Sequence, residues 1–326
     1  LRDCLGRDLV HVTSLGKAAD EAYLAIDEAS QKNLELVRNL RDGGLSFSLL
    51  DVLDHTRTAM GFRELYRRIL LPLRSVQRIN ERLDAVDCMY RDQRSLERVR
   101  RLLASCMDAE RLASRLAMKR CGPRDLLAIR NTINAARELE QALPANAPSG
   151  LSVSAAASAE LSAFADTVTK AIMDEPALAI NDGGFIREGW NDELDSYRLL
   201  KADAHGVLDR YLDDERTKTG LSGLRVKYNR VLGYYLELSK NAAGNAPSHF
   251  IRRQSTSTTE RFVTEALSEL ESRINGASER IVELEKALFE SLRDTLVPDA
   301  PQLAILAAQL ASLDCCTALA SAATAH

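Results

Sequence analysis

Between residues 224 and 264 the helical periodicity that governs most of this chain stops, and alternating β-branched and aromatic residues take over. On the C-terminal side, Leu267, Leu270, Ile274, Ala277, Ile281, Leu284 and Leu288 recur at alternating spacings of three and four. That spacing is a helix-packing seam. On the N-terminal side, Leu194, Tyr197, Leu200, Ala204, Val207 and Tyr211 answer it. A short β insert bounded by two long helices leaves few folds open. The arms pair antiparallel, reach roughly 40–50 Å at about 1.5 Å per residue, and hold a small sheet away from a larger body.

Four strands fit the insert, at 223–229, 232–239, 249–255 and 260–264. An antiparallel meander is the expected topology. It would place the turns at 229–231 and 256–259 together at the far end, with both arms and the 241–248 link at the near end. Tyr228, Tyr234, Tyr235 and Phe250 are expected to pack the core of so small a sheet rather than stack on bases.

The remainder reads as helix. Leu, Ala, Arg and Glu dominate and aromatics make up 5%, a composition that favours helices. Helices are predicted at 31–40, capped by Asp27 or Ser30, and at 62–71, stopped by Pro72. Another is predicted at 75–104, with Ile79, Leu83, Val86 and Tyr90 on its buried stripe. Further helices fall at 108–120, at 123–143 with Pro123 in its first turn, and at 159–173. The stretch 144–158, rich in Ala, Pro and Ser, reads as a loop. A last helix at 302–322 is apolar on most faces and is expected to be buried in the body. The fold class is therefore mainly α, a multi-helix body with two long arms and an inserted four-stranded antiparallel sheet. The boundaries are 1–190 for the first part of the body, 191–221 for the first arm, 222–264 for the β tip, and 265–326 for the second arm and the return.

Charge separates by region. The chain carries a net −4, which excludes a global polyanion-binding footprint. The tip, 222–264, has seven basic and two acidic residues, net +5, whereas the arms carry −3 (191–221) and −4 (265–297). A basic tip on acidic supports is a local contact surface for a polyanion, rich in the Lys, Arg, Asn, Ser and Thr that bind phosphates. The mode expected is sequence-independent, salt-sensitive contact with a nucleic-acid backbone.

Six cysteines, none in a C-x-x-C pair or at ligand spacing from a histidine, read as reduced thiols of a cytosolic protein. No uninterrupted run of eighteen apolar residues occurs, so no membrane span is expected. The missing initial Met points to a piece of a longer protein. Asp51, Asp54 and His55 form the one dense acid–His cluster, without a nucleophile, metal set or phosphate cradle beside it. No catalysis and no metal are expected in this chain.

Several segments resemble a known family. Arg216-Thr217-Lys218-Thr219-Gly220, the run from Leu224 through Asn229-Arg230-Val231 to Tyr235, Ile251-Arg252-Arg253-Gln254 and Glu260-Arg261-Phe262 are similar to the clamp region of the MutS family of DNA mismatch-repair proteins. Asp27-Glu28-Ala29-Ser30 and the run from Leu49 to Thr58 with Gly61 resemble the core of that family. Ile79-Asn80-Glu81-Arg82-Leu83 and Asp182-Gly183-Gly184 fit as well, so the resemblance covers nearly the whole chain in order.

The resemblance implies a core, or lever, domain with an inserted DNA clamp. The implied clamp contacts to duplex DNA are Lys227, Asn229, Arg230, Arg252, Arg253, Ser257, Thr258 and Arg261. Relatives carry a mismatch-reading domain and a connector before this region and an ATPase after it. ATP and Mg would belong to that ATPase, and no G-x-x-x-x-G-K-[ST] occurs here. A homodimer, a MutL-type repair partner and a cytoplasmic, nucleoid-associated location are implied for the parent. Phe62-Arg63-Glu64 copies the family's mismatch wedge only by coincidence, because it lies in a core helix. Ser257 and Thr258 stand where the family usually has Lys and Asn, which removes one positive charge, and Ala59 and Ala266 replace two common prolines. Two other readings remain open: a non-mismatch member of the family acting on recombination intermediates, and a helical scaffold whose tip binds protein.

Overall fold

In the computed structural model, residues 22–177, 183–229 and 231–325 are described. They form two compact units, one made of residues up to Pro176 together with Glu290 onwards, the other of Ala177–Phe289.

The first unit is helical. Its elements before the insert are α1 (Glu28–Asn33), α2 (Leu49–Leu53), α3 (Ala59–Leu70), α4 (Val76–Arg91), α5 (Gln93–Leu103), α6 (Ala109–Ala117), α7 (Pro123–Ala142) and α8 (Ala159–Ala171). Side-chain caps set most of the starts. Asp27, Ser48, Thr58, Ser75, Asp92, Asp108 and Ser158 each accept a hydrogen bond from the backbone N–H three residues on. Pro123 opens α7, where its missing N–H costs nothing.

The last helix of the chain, labelled α13 below, spans Ala300–Ala325 and packs against α2, α3, α4, α5, α6 and α8. Leu303, Leu306, Leu310, Leu313 and Ala318 on it are fully buried. The stretch Glu265–Ala325 contains a window of mean hydropathy 1.7, apolar enough to cross a membrane by length and composition. Burial of 67% of that window inside the fold marks it as core helix.

The sequence reading of this unit needs three corrections. The helix expected at 31–40 ends at Asn33, because Glu35 takes a left-handed φ of 49° and the chain turns. The helix expected at 75–104 breaks at Asp92, which ends α4 and caps α5. On α4 the stripe of Ile79, Leu83 and Tyr90 faces out, and Ala85 and Met89 are buried instead. The stretch 144–158 is the expected loop, but part of it is buried. Its two 3-10 turns, Ser149–Leu151 and Ser154–Ala157, bury Leu151, Val153, Ala155 and Ala156. The Glu140 carboxylate holds it by accepting from Ser152 Oγ (2.9 Å) and Val153 N (2.6 Å).

The second unit contains α9 (Asp192–Ala202), α10 (Ala204–Thr219), a four-stranded sheet, a short α11 (Lys240–Ala243) and most of α12 (Glu265–Leu296), which continues into the first unit. The first arm is two helices rather than one. Asp203 ends α9 and caps α10 through the N–H of Gly206. The arms run antiparallel, as Tyr211 meets Thr264, Tyr197 meets Arg273, and Glu193 meets Arg280. None of the seven seam residues of α12 is exposed. Arg198 joins the buried Glu285 (2.5 Å), which also accepts from Gly184 N (2.5 Å).

Candidate nucleic-acid interface

The tip is a sheet of β1 (Arg225–Asn229), β2 (Gly233–Ser239), β3 (Ile251–Ser255) and β4 (Thr259–Val263). All neighbours are antiparallel, but the order is β1-β2-β4-β3, so the meander expectation fails. The consequence is geometric. Gly233 pairs with Asn229 at one end of β2, and Ser239 pairs with Thr259 at the other. Lys240 N donates to Thr258 O (3.2 Å). The turns at 229–233 and 256–258 therefore lie at opposite ends of the sheet, not together.

Alternation gives the sheet two faces. Leu236, Leu238 and Phe262 face a core with Leu208, Leu212, Leu224, Phe250 and Leu267, and Val226 packs against it. The opposite face carries the register row Arg225, Glu237, Arg261 and Gln254, with Lys227 reaching Glu237 on the diagonal. Lys227 Nζ lies 2.5 Å from the Glu237 carboxylate, Arg261 Nε lies 3.8 Å from Glu237, and Arg261 donates to Gln254 Oε1 (2.7 Å). The Arg261 guanidinium covers the buried Tyr235 ring at 4.7 Å. Phe250 is likewise core, whereas Tyr228 is 62% exposed beside Tyr234.

Helix side chains fasten the sheet. Arg216 forks onto Leu224 O (3.0 and 2.8 Å), His249 Nε2 meets the buried Glu215 (3.1 Å), and Tyr211 OH meets Thr264 Oγ1 (2.6 Å). Arg216, within the family-like segment, is thus a structural anchor.

The residues singled out from sequence divide accordingly. Lys227, Arg252 and Arg261 lie on the sheet but have partners, Arg252 pairing with the buried Glu260. Asn229 Oδ1 accepts from Val231 N (2.9 Å) and closes its own turn. Arg230 lies outside the described residues. The register slips between Arg252 and Gln254, so Arg253 is the extra residue of a bulge on an exposed edge strand, and it makes no ion pair. Ser257 and Thr258 are exposed in the β3–β4 turn. Sequence reasoning counted Arg225 and Lys240 as charge but missed them as site residues. Both are exposed and make no ion pair with the described residues. Arg225 precedes the Ser239 end of the sheet, opposite Glu237, and Lys240 adjoins Thr258.

The core segment 48–58 is a second constellation, and its polar groups are mostly spent on structure. Ser48 caps α2, Asp51 accepts from Phe47 N (2.9 Å), and Asp54 accepts from Thr56 Oγ1 (2.6 Å). The loop is tied to α13 by Asp314, which accepts from Arg57 N (3.0 Å), Thr58 N (2.7 Å) and Thr58 Oγ1 (2.7 Å). Burial pushes the Asp314 carboxyl above the ordinary range although these bonds pull the other way.

A helical scaffold carrying a small sheet, with basic and hydroxyl side chains exposed on that sheet, is the class of protein this fold defines. Residues 29–320 match the family model described as MutS domain III. Over its whole length the chain is 36% identical to the DNA mismatch repair protein MutS of Treponema denticola, covering 37% of that protein. It is 33% identical to the DNA mismatch repair protein MutS of Methanosarcina barkeri over 97% of this chain and 36% of that protein. The chain belongs to the MutS domain III family. It spans little more than a third of the length of these relatives.

Proposed function

We propose that the sheet of the second unit is a clamp that contacts the backbone of duplex DNA without reading its sequence. The observation that carries this reading is the set of cations left without a carboxylate. Arg225, Lys240 and Arg253 are exposed and make no ion pair with the described residues, and the hydroxyls of Ser257 and Thr258 are exposed near Lys240. A charged group with no internal partner is one whose hydration or counter-ion is exchanged for phosphate on binding. Lys227, Arg252 and Arg261 position the sheet more than they grip, because each is already engaged. The relatives named as DNA mismatch repair proteins support the assignment.

The first unit would act as the lever that couples the clamp to mismatch-reading and ATPase domains of a longer polypeptide, where ATP and Mg would bind. Pairing of two subunits and recruitment of a MutL-type partner, in a cytoplasmic setting, belong to the same reading.

Fluorescence anisotropy of a labelled duplex tests the clamp. The Arg225→Ala, Lys240→Ala, Arg253→Ala triple variant is expected to weaken binding by about tenfold or more at low salt. Arg252→Ala alone is expected to change it less than the triple. Equal binding by the triple variant and the parent chain, or no binding by either, would sink the clamp reading.

A further inference from the structure

An open cleft of about 760 Å³ lies between α5, the end of α13 and the loop before α3. Three guanidinium groups line it, from Arg57, Arg100 and Arg101, against a single carboxylate, Glu97. Arg100 is 9% exposed, and its one side-chain hydrogen bond among the described residues is a long one, from Nη1 to Thr317 O at 3.4 Å. A guanidinium has five N–H donors, so most of Arg100 is unmatched by the described residues. The Arg57 and Arg101 side chains make no ion pair with the described residues. Among the polar side chains of the segment 48–58, Arg57 is the one whose side chain takes no part in holding the segment together; only its backbone N–H does, through Asp314.

Two guanidinium groups near one another in a half-enclosed site repel unless an anion stands between them. Asp314 attracts Arg100 from behind the cleft, but it is not part of the cleft wall, and its oxygens are taken up by the amides of Arg57 and Thr58 and the hydroxyl of Thr58. Planar N–H forks match the oxygens of phosphate and carboxylate. Gln93 and Ser321 add neutral polar groups to the wall, and Leu96 and Ala104 add apolar surface. The volume is that of a ligand pocket, larger than a free inorganic anion needs.

We propose that this cleft is an oxyanion site that takes a phosphate or carboxylate group carried on a larger ligand, gripped by Arg57, Arg100 and Arg101. The site is separate from the clamp surface and does not depend on the clamp reading. The ligand is either a phosphorylated small molecule or an acidic protein segment, and the chemistry of recognition is shared.

Isothermal titration of the 326-residue chain with pyrophosphate, and separately with tricarballylate, at constant ionic strength set by KCl, tests this. One pyrophosphate per chain is expected, with affinity reduced at least about fivefold by Arg57→Ala and by Arg101→Ala, each removing one charge-assisted contact. Both side chains are exposed, so the variants should keep the parent's circular dichroism and urea-unfolding midpoint. Binding of pyrophosphate alone assigns the site to a phosphate ligand, and comparable binding of tricarballylate assigns it to a carboxylate. No binding of either anion, or binding that both substitutions leave unchanged, overturns the proposal.

Discussion

Asp314 is the one charged residue between Ala300 and Ala325, fully buried in a helix that supplies much of the core. Its cost of burial is offset by three donors from a segment more than two hundred and fifty positions earlier in the chain. Gly61 exists for the same contact, since a Cβ there would lie 2.1 Å from Asp314 Oδ2. Asp314→Ala would strand the N–H of Thr58 and the hydroxyl beside it, and a loss of about 3 kcal/mol is expected in urea unfolding. The pH dependence has a defined sign. The folded carboxyl titrates above its unfolded value, so the folded state holds the extra proton in that window and stability falls as pH rises through it. The Asp314→Ala penalty should thus be largest below about pH 4 and shrink towards neutrality. A penalty that grows with pH would show that the carboxylate form is the favoured one. This residue was legible in outline, because a lone acid in an apolar helix asks for a buried partner. Its partner was not, since nothing local links it to Thr58.

At the scale of elements, the sequence predicted all four strands to within about two residues, because alternation and turn residues are local signals. Strand order was not readable. A β1-β2-β4-β3 sheet and a meander use the same strands, and the choice rests on which edges of β2 and β4 meet. The broken helices have a similar cause. Asp92 and Asp203 each stop one helix and cap the next, while the apolar spacing runs on across the break. The outward stripe on α4 shows the reverse: apolar periodicity marks a face, but tertiary packing chose Ala85 and Met89 for the core. Gly233 is the residue on which the β1–β2 hairpin turns. Its φ is +72°, and a Cβ would meet the Glu271 carboxylate at 2.2 Å. Gly233→Ala should cost about 1–2 kcal/mol in urea unfolding. Gly244→Ala, at a right-handed φ of −65° with open space around it, should change stability by less than about 0.5 kcal/mol. Equal effects at the two sites would remove the hairpin argument.

For the whole molecule, the regional charge pattern was visible in the sequence, but its availability was not. Composition gives the tip seven cations. Of the six that are described, three are engaged by Glu237, Glu260 and Gln254, leaving Arg225, Lys240 and Arg253. The salt dependence of duplex binding separates the two counts, because each phosphate neutralised contributes about −0.9 to the slope of log K against log salt. Three free cations predict a slope of about −3, and engagement of all seven predicts about −6. The chain's overall charge of −4 cannot mimic either result, since repulsion between two like-charged polymers gives binding that strengthens with salt. Anisotropy titrations at four or more KCl concentrations yield the slope directly. A value near −6 would mean that Lys227, Arg252 and Arg261 abandon their partners on DNA, and that these ion pairs are a reserve of contacts rather than a fixed support.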